Sequence, residues 1–243
     1  GMRAQHTKNG RPGGGAAADA GGHQGPGGSR LRVRTVEIRP GEVVLIDQLA
    51  LPHEERYVTC RTWREVADRI RDMTVRGAPA IGVTAAGGVA LAAAEAAAGP
   101  DDPGALRAAL EQAAAGLSAT RPTAVNLRWA LDEMRSVWEA ALTAGGAASR
   151  PAAVADALLL RAQAIHDDDV DRCLRIGEHG AGLFRAGDRI LTHCNAGALA
   201  TAGYGTALGV VRSAAARHPG ISVWVDETRP WLQGARLTAW ELQ

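Results

Sequence analysis

The segment that most constrains the fold runs from residue 188 to residue 225. A short run of β-type composition (189–192) leads into a loop rich in Gly, Ala and Thr. An apolar stretch at helical spacing (204–216) and a second β-type run (221–225) follow. Strand, loop, helix and strand in this order predict a parallel unit whose first loop lies at the carboxyl edge of the sheet.

Cys194 lies in that loop. Glycines there let a ligand approach the backbone, and a following helix presents free N–H groups at its amino end. Thiols in such surroundings are often chemically reactive. A free cysteine is, however, equally often a small buried hydrophobic residue. The loop alone leaves both interpretations open.

The composition limits the classes of partner and cofactor. With 27 basic and 26 acidic residues and a net charge of +1, the chain gives no electrostatic reason to expect nucleic acid or an anionic membrane as partner. Its three cysteines have neither zinc-ligand spacing nor a disulfide pattern, which fits a reducing cytoplasm. The longest apolar run, 78–98, is Ala/Gly-rich and carries Glu95, and we predict a buried helix there.

Periodicity divides the chain into three parts. Residues 1–30 are rich in Gly and Ala without periodicity, and we predict a disordered tail. Residues 31–150 show alternating apolar positions followed by helical patterns, which predict a small antiparallel sheet and a helical domain. Residues 151–243 contain a long helical segment and the strand-loop-helix-strand unit. The predicted class is α/β: an N-terminal small β-sheet plus helical domain, then an incomplete Rossmann-like parallel-sheet domain.

Two arginines precede predicted helix starts. Pro79 suits the first turn of a helix, so Arg76 and the N–H groups of Gly77 and Ala78 lie at its amino end, a favourable place for an anion. A single arginine of this kind is more often on a solvated loop. The same pattern recurs at Arg121, again before a proline. We therefore hypothesise that the two arginines and the cysteine loop converge on one phosphorylated ligand.

Other polar residues admit competing interpretations. Consecutive residues on a helix point in different directions, so 166–169 (His-Asp-Asp-Asp) is typical of a helix start or solvated face, not a metal site. His193 is a candidate base for Cys194, although neighbours on a strand point to opposite faces. Asp226 follows the second strand, where acidic residues often bind ribose hydroxyls, and Gln233 is placed to hydrogen-bond a sugar.

Five motifs together carry a family resemblance. They are 75–82 (Val-Arg-Gly-Ala-Pro-Ala-Ile-Gly), 121–127 (Arg-Pro-Thr-Ala-Val-Asn-Leu), 177–180 (Gly-Glu-His-Gly), 192–197 (Thr-His-Cys-Asn-Ala-Gly) and 226–238, which contains Asp-Glu-Thr-Arg-Pro and Gln-Gly-Ala-Arg-Leu-Thr. In this order they resemble the S-methyl-5-thioribose-1-phosphate isomerases, within the superfamily of the translation initiation factor 2B alpha, beta and delta subunits. The resemblance spans residues 34–243, and the cysteine motif is typical of the isomerase branch.

The resemblance implies an activity and a set of site residues. The reaction is an aldose-ketose isomerisation of S-methyl-5-thio-α-D-ribose 1-phosphate to S-methyl-5-thio-D-ribulose 1-phosphate, in methionine salvage, by a cytoplasmic homodimer without metal or nucleotide cofactor. Carried over residue by residue, it makes Cys194 the catalytic residue that stabilises the transition state, Arg76, Gly77 and Ala78 substrate-binding, Arg121 the phosphate ligand and Gln233 a sugar contact. Hydrogen moves from C2 to C1 as a proton or as a hydride.

One departure from the family pattern matters. The family's second catalytic residue is an Asp in a Gly-Ala-Asp-Arg motif, followed by an Asn-Lys pair, and the chain reaches Gln243 before either. Asp188 lies in a similar tetrad but precedes the cysteine strand, so it is not assigned this role. We therefore expect an amino-terminal portion of the isomerase that is feeble on its own and prone to associate. The alternatives are a ribose 1,5-bisphosphate isomerase and a non-catalytic regulatory subunit resembling the initiation factor.

Overall fold

The computed structural model describes residues 33–243, so the predicted disordered tail, 1–30, lies outside the described residues. The described part begins with an antiparallel sheet of strands β1 (Val36–Arg39), β2 (Glu42–Ile46) and β3 (Tyr57–Cys60), in that order. Alternate residues of β2, Val43 and Leu45, are fully buried. The predicted small sheet is confirmed.

Four helices follow along the chain, and the first two of them pack on this sheet. They are α1 (Trp63–Arg71), α2 (Ala78–Ala97), α3 (Pro103–Ser118) and α4 (Val125–Ala144). Helix α1 begins with a capping box: Glu65 N donates to Thr62 Oγ1 at 3.2 Å, and Thr62 N donates to the Glu65 carboxylate at 3.0 Å. The helix ends at Arg71, two residues before the predicted Met73, which has a positive φ of 69°.

Helix α2 forms the centre of the larger hydrophobic core. Every residue from Ala80 to Ala93 is buried. Small residues allow this: a Cβ added to Gly87 would lie 2.7 Å from Val43 Cγ2 of β2. By length and composition α2 is able to cross a membrane, but 78% of its apolar window is buried within the protein. The predicted buried helix is confirmed, and its packing is that of a core helix.

Helix α5 (Pro151–Ala181) is one unbroken helix of 31 residues, although the sequence pattern is also compatible with a break in this segment. A 3-10 helix (Gly146–Ser149) joins it to α4. Its first half contributes Val154 and Leu158 to the core around α2 and Trp138. Its second half approaches the next helix so closely that a Cβ at Gly180 would lie 2.5 Å from Val210 Cγ2. Because α5 packs on both sides, the domain boundary at residue 150 remains a prediction.

The predicted parallel unit is confirmed. Strand β4 (Arg189–His193), helix α6 (Ala207–Arg217) and strand β5 (Ser222–Asp226) form it, and the two strands pair in parallel. Ile190 packs against α6 on one face of the sheet. On the other face, Leu191 and its cross-strand partner Trp224 are 73% and 66% exposed.

The end of the chain packs beneath the loop after β4. A π-helix (Gly234–Thr238) passes directly into the short helix α7 (Ala239–Glu241). Helix α6 starts three residues later than predicted because the preceding loop is held in an irregular conformation by a bridge between Gly197 and Gly205. Together these elements make a mixed α/β protein with its loops gathered at the carboxyl edge of β4 and β5.

Candidate active site

Cys194 is the first residue after β4 and has an unusual backbone. Its φ is +60°, the left-handed region that residues other than glycine seldom adopt. Its N–H donates to Asp226 O at the end of β5 (3.2 Å), and its carbonyl accepts from Thr238 Oγ1. The conformation is thus fixed from two sides. Such strained backbone is concentrated at functional sites in proteins.

The Cys194 thiol is partly buried and faces the segment after β5. Its Sγ donates to Gln233 Oε1 at 3.2 Å and accepts a long contact, 3.9 Å, from Thr228 Oγ1. Two residues identified from the sequence, 39 positions apart, therefore meet through their side chains. The other two cysteines, Cys60 and Cys173, are buried, and burial raises the pKa of each to about 11.

Arg76 lies beside this thiol and is only 8% exposed. Its Nη1 donates to Asn195 Oδ1 at 2.5 Å and its Nη2 to Asn195 O at 2.9 Å. Burial lowers the pKa of Arg76, the Cys194 side chain and Glu241 raise it, and Arg121 lowers it further. Cys194 and Arg121 therefore both lie close enough to Arg76 to act on it electrostatically.

Arg121 precedes α4 and has a buried nitrogen without a partner. Among residues 33–243, Nη1 of Arg121 makes no hydrogen bond. The helix begins at Val125, later than the Arg-Pro pattern predicts, because Ala124 takes the extended N-cap conformation. A buried guanidinium N–H without an acceptor is costly, and a second guanidinium nearby adds repulsion. An anion between the two arginines would relieve both costs.

Gly77 and Ala78 lie where two segments of backbone touch. Gly77 is the N-cap of α2 with φ +94°, and Ala78 is the first residue of that helix. A Cβ at Gly77 would lie 2.5 Å from Ala200 Cα, in the loop that follows Cys194. The amino end of α2, which has no side-chain cap, is thereby held against the cysteine loop.

Two other sequence candidates have different surroundings. His193 Nδ1 is 3.2 Å from Asp226 Oδ2, and both side chains are more than 60% exposed. Within the described chain no hydrogen bond joins His193 to Cys194, in keeping with the strand geometry. On α5, Asp167 and Asp168 are exposed, whereas Asp169 turns inward and accepts from Ala202 N at 2.7 Å. In residues 33–243 there is no group of three or more His, Cys, Asp or Glu side chains suited to hold a metal ion.

Three buried polar residues at this site were not predicted from the sequence: Asn195, Thr238 and Glu241. Asn195 Nδ2 donates to Thr238 Oγ1 at 3.1 Å and to Glu241 Oε1 at 2.9 Å. The side chain of Glu241 has no exposed area. A lone carboxylate in the apolar stretch between Leu237 and Leu242 was the available sign, because Glu is seldom fully buried without partners.

The profile of the initiation factor 2 subunit family matches residues 74–243. The chain belongs to this family. It is 52% identical over 212 residues to the methylthioribose-1-phosphate isomerase of Geobacter metallireducens, covering 87% of this chain and 59% of that protein. It is 50% identical to the enzyme of the same name from Koribacter versatilis, covering 86% of this chain and 57% of the relative.

Two solved structures share the fold of this family member. One is 5-methylthioribose 1-phosphate isomerase from Pyrococcus horikoshii OT3, with TM-score 0.76, 40% identity, and coverage of 86% of this chain and 56% of that one. The other is translation initiation factor eIF-2B, subunit delta, from A. fulgidus, with TM-score 0.75, 42% identity, and coverage of 86% and 59%. The chain thus spans less than 60% of the length of these relatives.

Proposed function

We propose that this chain carries the phosphosugar site of an aldose-ketose isomerase that converts S-methyl-5-thio-α-D-ribose 1-phosphate to S-methyl-5-thio-D-ribulose 1-phosphate in methionine salvage. The relatives of that name support it, and so does the electrostatic interaction of Arg76 with both Cys194 and Arg121. The reaction moves hydrogen from C2 to C1 within one molecule. It is redox-neutral overall and consumes no external oxidant or reductant.

The observation that carries the proposal is the unpartnered Nη1 of Arg121 next to a second buried guanidinium. Two neighbouring arginines, one with an unpartnered N–H group, match a phosphate dianion, which accepts several charge-assisted hydrogen bonds. In this assignment Arg121 and Arg76 bind the phosphate, and the backbone at Gly77 and Ala78 lies against the sugar.

Cys194 and Gln233 would act at the other end of the sugar. Their mutual hydrogen bond is one that a sugar hydroxyl is able to replace, since the Gln233 amide both donates and accepts. Cys194 would stabilise the negative charge that develops on the sugar oxygens as hydrogen moves from C2 to C1. This role holds for a proton passing through an enediolate and for a hydride shift.

The first test is binding of methylthioribose 1-phosphate to this chain by titration calorimetry. Arg121→Met should weaken binding by about tenfold or more, because a charge-assisted hydrogen bond contributes about 1.5–3 kcal/mol. Arg135→Met is the matched control, because Arg135 pairs with Glu111 on the surface between α3 and α4. No binding by the unchanged chain, or equal binding by Arg121→Met, would refute the proposal.

Turnover and selectivity provide the second test. Any conversion of methylthioribose 1-phosphate should be lost in Cys194→Ala while binding is kept. Ribose 1,5-bisphosphate in competition tests the alternative isomerase: if it binds more tightly, the substrate assignment is wrong. The likeness to eIF-2B subunit delta favours a regulatory protein as second candidate. Preference for a nucleotide such as AMP, with co-purification of an initiation factor, would support that reading.

The cellular setting is part of the same proposal. The three free cysteines agree with a reducing cytoplasm, and a small sugar phosphate is the partner. We propose a homodimer as the working assembly. Sedimentation of the purified chain across a range of concentrations tests this directly: a species of twice the 25.2 kDa mass is expected, and a monomer at all concentrations would contradict it.

A further inference from the structure

Glu241 is the most deeply buried carboxylate near the candidate site, and its four contacts are all donors. Oε1 accepts from Asn195 Nδ2 at 2.9 Å and from Leu199 N at 3.1 Å. Oε2 accepts from Ala198 N at 2.8 Å and from Arg212 Nη2 at 2.7 Å. An ionised carboxylate offers about four lone-pair sites and no donor, so its capacity and its partners match.

The Glu241 carboxylate determines how the side-chain amide of Asn195 is oriented. Its Nδ2 has two protons, and both are used, on Thr238 Oγ1 and on Glu241 Oε1. Its Oδ1 therefore faces the opposite way, where it accepts from Arg76 Nη1. A reversed amide would set Oδ1 against the Glu241 carboxylate and an NH2 group against the guanidinium. Glu241 thus permits one orientation of Asn195.

Asn195 in turn holds Arg76. Both hydrogen bonds that the structure shows for the Arg76 guanidinium go to this one residue, to its side chain and to its carbonyl. The structure gives this guanidinium no other hydrogen bond within residues 33–243, so its remaining N–H groups are available to an anion. Arg76 is 8% exposed, so water does little to compensate for a lost partner.

We propose that Glu241 is a positioning residue for phosphosugar binding: it fixes the Asn195 amide, and Asn195 aims the Arg76 guanidinium at the ligand. This inference rests on the proposed function. It explains why the carboxylate of Glu241, which does not contact Cys194, is buried against the loop that follows Cys194. It also explains Gly197, where an added Cβ would lie 2.2 Å from Glu241 Oε2 and would displace the carboxylate.

The test is Glu241→Gln, which keeps the shape but introduces a donor. The new NH2 group lets the Asn195 amide reverse, so the affinity for methylthioribose 1-phosphate should fall by about tenfold or more, as when a group behind a binding residue is removed. Affinity for methylthioribose without phosphate should change by less than about threefold, since Arg76 is the group affected. Equal losses for both ligands would show general damage to the loop and overturn the proposal.

A double variant tests whether Glu241 acts through Arg76. If it does, Glu241→Gln should add less than about twofold to the loss caused by Arg76→Lys, because coupled residues are not additive. Fully additive losses of affinity would show that Glu241 does not act through Asn195 and Arg76, and would refute the proposal. Glu133→Gln is the control: this glutamate pairs with Arg161 between α4 and α5, and its substitution should leave affinity unchanged.

Ligand-free protein separates this inference from the proposed function. In protein labelled with 15N-arginine, the Nη protons of Arg76 should rotate slowly in the unchanged chain and in Glu133→Gln, and freely in Glu241→Gln. If the chain binds no sugar phosphate, the proposed function fails, but this measurement still decides the orientation of Arg76. Should Glu241→Gln not fold, Thr238→Val provides the complementary test, because it removes the other acceptor of Asn195 and leaves Glu241 in place. The Arg76 protons should still rotate slowly in Thr238→Val, and free rotation there would overturn the proposal.

Discussion

The two sheets within residues 33–243 are built from similar apolar strands but are buried differently. In the antiparallel sheet, Leu45 and Val43 on β2 are covered by helix α2 and are fully buried. In the parallel pair, Ile190 on β4 is covered by α6, whereas Leu191 and Trp224 face outward. The difference teaches that strand formation follows local pattern, while the stability contributed by a strand depends on what packs against both faces.

The largest expected effect compares one substitution in the two sheets. Leu45→Ala should reduce the free energy of unfolding by about 2–5 kcal/mol, because it leaves a cavity in a closed core. Leu191→Ala, at a position that is 73% exposed, should change it by less than about 0.5 kcal/mol. Urea unfolding at 25 °C measures both. Similar losses would mean that the parallel sheet is covered in solution.

The next effect concerns the reactivity of the cysteine thiols: Cys60 in the antiparallel sheet and Cys173 in α5 are buried, whereas Cys194 after the parallel strand β4 is partly exposed. Burial raises the pKa of Cys60 and Cys173 to about 11, so only about a thousandth of each is thiolate at pH 8. Iodoacetamide should label Cys194 first, by a rate factor of about a hundred or more. Mass spectrometry of the intact protein counts the labels. Cys194→Ser should remove the fast label, and early labelling at Cys60 would contradict the packing.

A smaller effect distinguishes the helix starts. Thr62 caps α1 with its side chain, so Thr62→Ala should cost about 1 kcal/mol. Thr206 precedes α6 but makes no side-chain capping bond, and its hydroxyl has only a 3.4 Å contact to Ala196 O. We expect Thr206→Ala to cost a few tenths of a kcal/mol, about the effect of a weak exposed contact. Thermal unfolding of the two variants, compared at the same temperature, provides the measurement.

The smallest effect is on the pH dependence of stability, to which Asp169 and Glu37 should contribute with opposite signs. Burial raises the pKa of Asp169 above 3.8, so its contribution to stability is lost as pH rises through the folded value. For Glu37, burial raises the pKa, but the hydrogen bonds and charges of Arg34 and Arg39 together lower it by more. The net pKa of Glu37 is therefore below 4.5. Its contribution is therefore present above 4.5 and lost as pH falls.

Two variants measure that contrast between pH 3 and pH 7. Asp169→Asn should gain stability relative to the unchanged protein as pH rises. Glu37→Gln should lose stability relative to it over the same range, by a small amount because its ion pairs lie at the surface. Slopes of the same sign would show that the burial of Asp169 beneath Ala202 is wrong.

Local pattern predicts the elements of this fold well. The capping box at Thr62, the apolar run of α2 and the alternation in β1 to β3 each depend on residues close together in the chain. The helix boundaries that were predicted wrongly depend on contacts between residues far apart in the chain or in separate segments of a loop. Helix α6 starts later than predicted because a bridge joins Gly197 to Gly205 in the loop before it. The spacing of apolar residues does not predict such a bridge.

The candidate site was predictable only in part, for a related reason. Arg76, Arg121 and Cys194 were recognisable because each lies at the end of an element, where ligands bind. Glu241 was not, because its role depends on a contact with Asn195, 46 positions earlier. It also depends on the π-helix, which widens one turn before α7 and has no sequence pattern of its own.

The 31 residues of helix α5 extend about 46 Å at 1.5 Å per residue, which is long enough to reach from the core around α2 to helix α6. Its first half shares a core with Trp138, and its second half contacts α6 through Gly177 and Gly180. Neither half is able to fray without exposing the neighbouring core. Hydrogen exchange should therefore report α5 as a single cooperative unit, and occupancy of the phosphosugar site should slow the exchange of amides along its whole length.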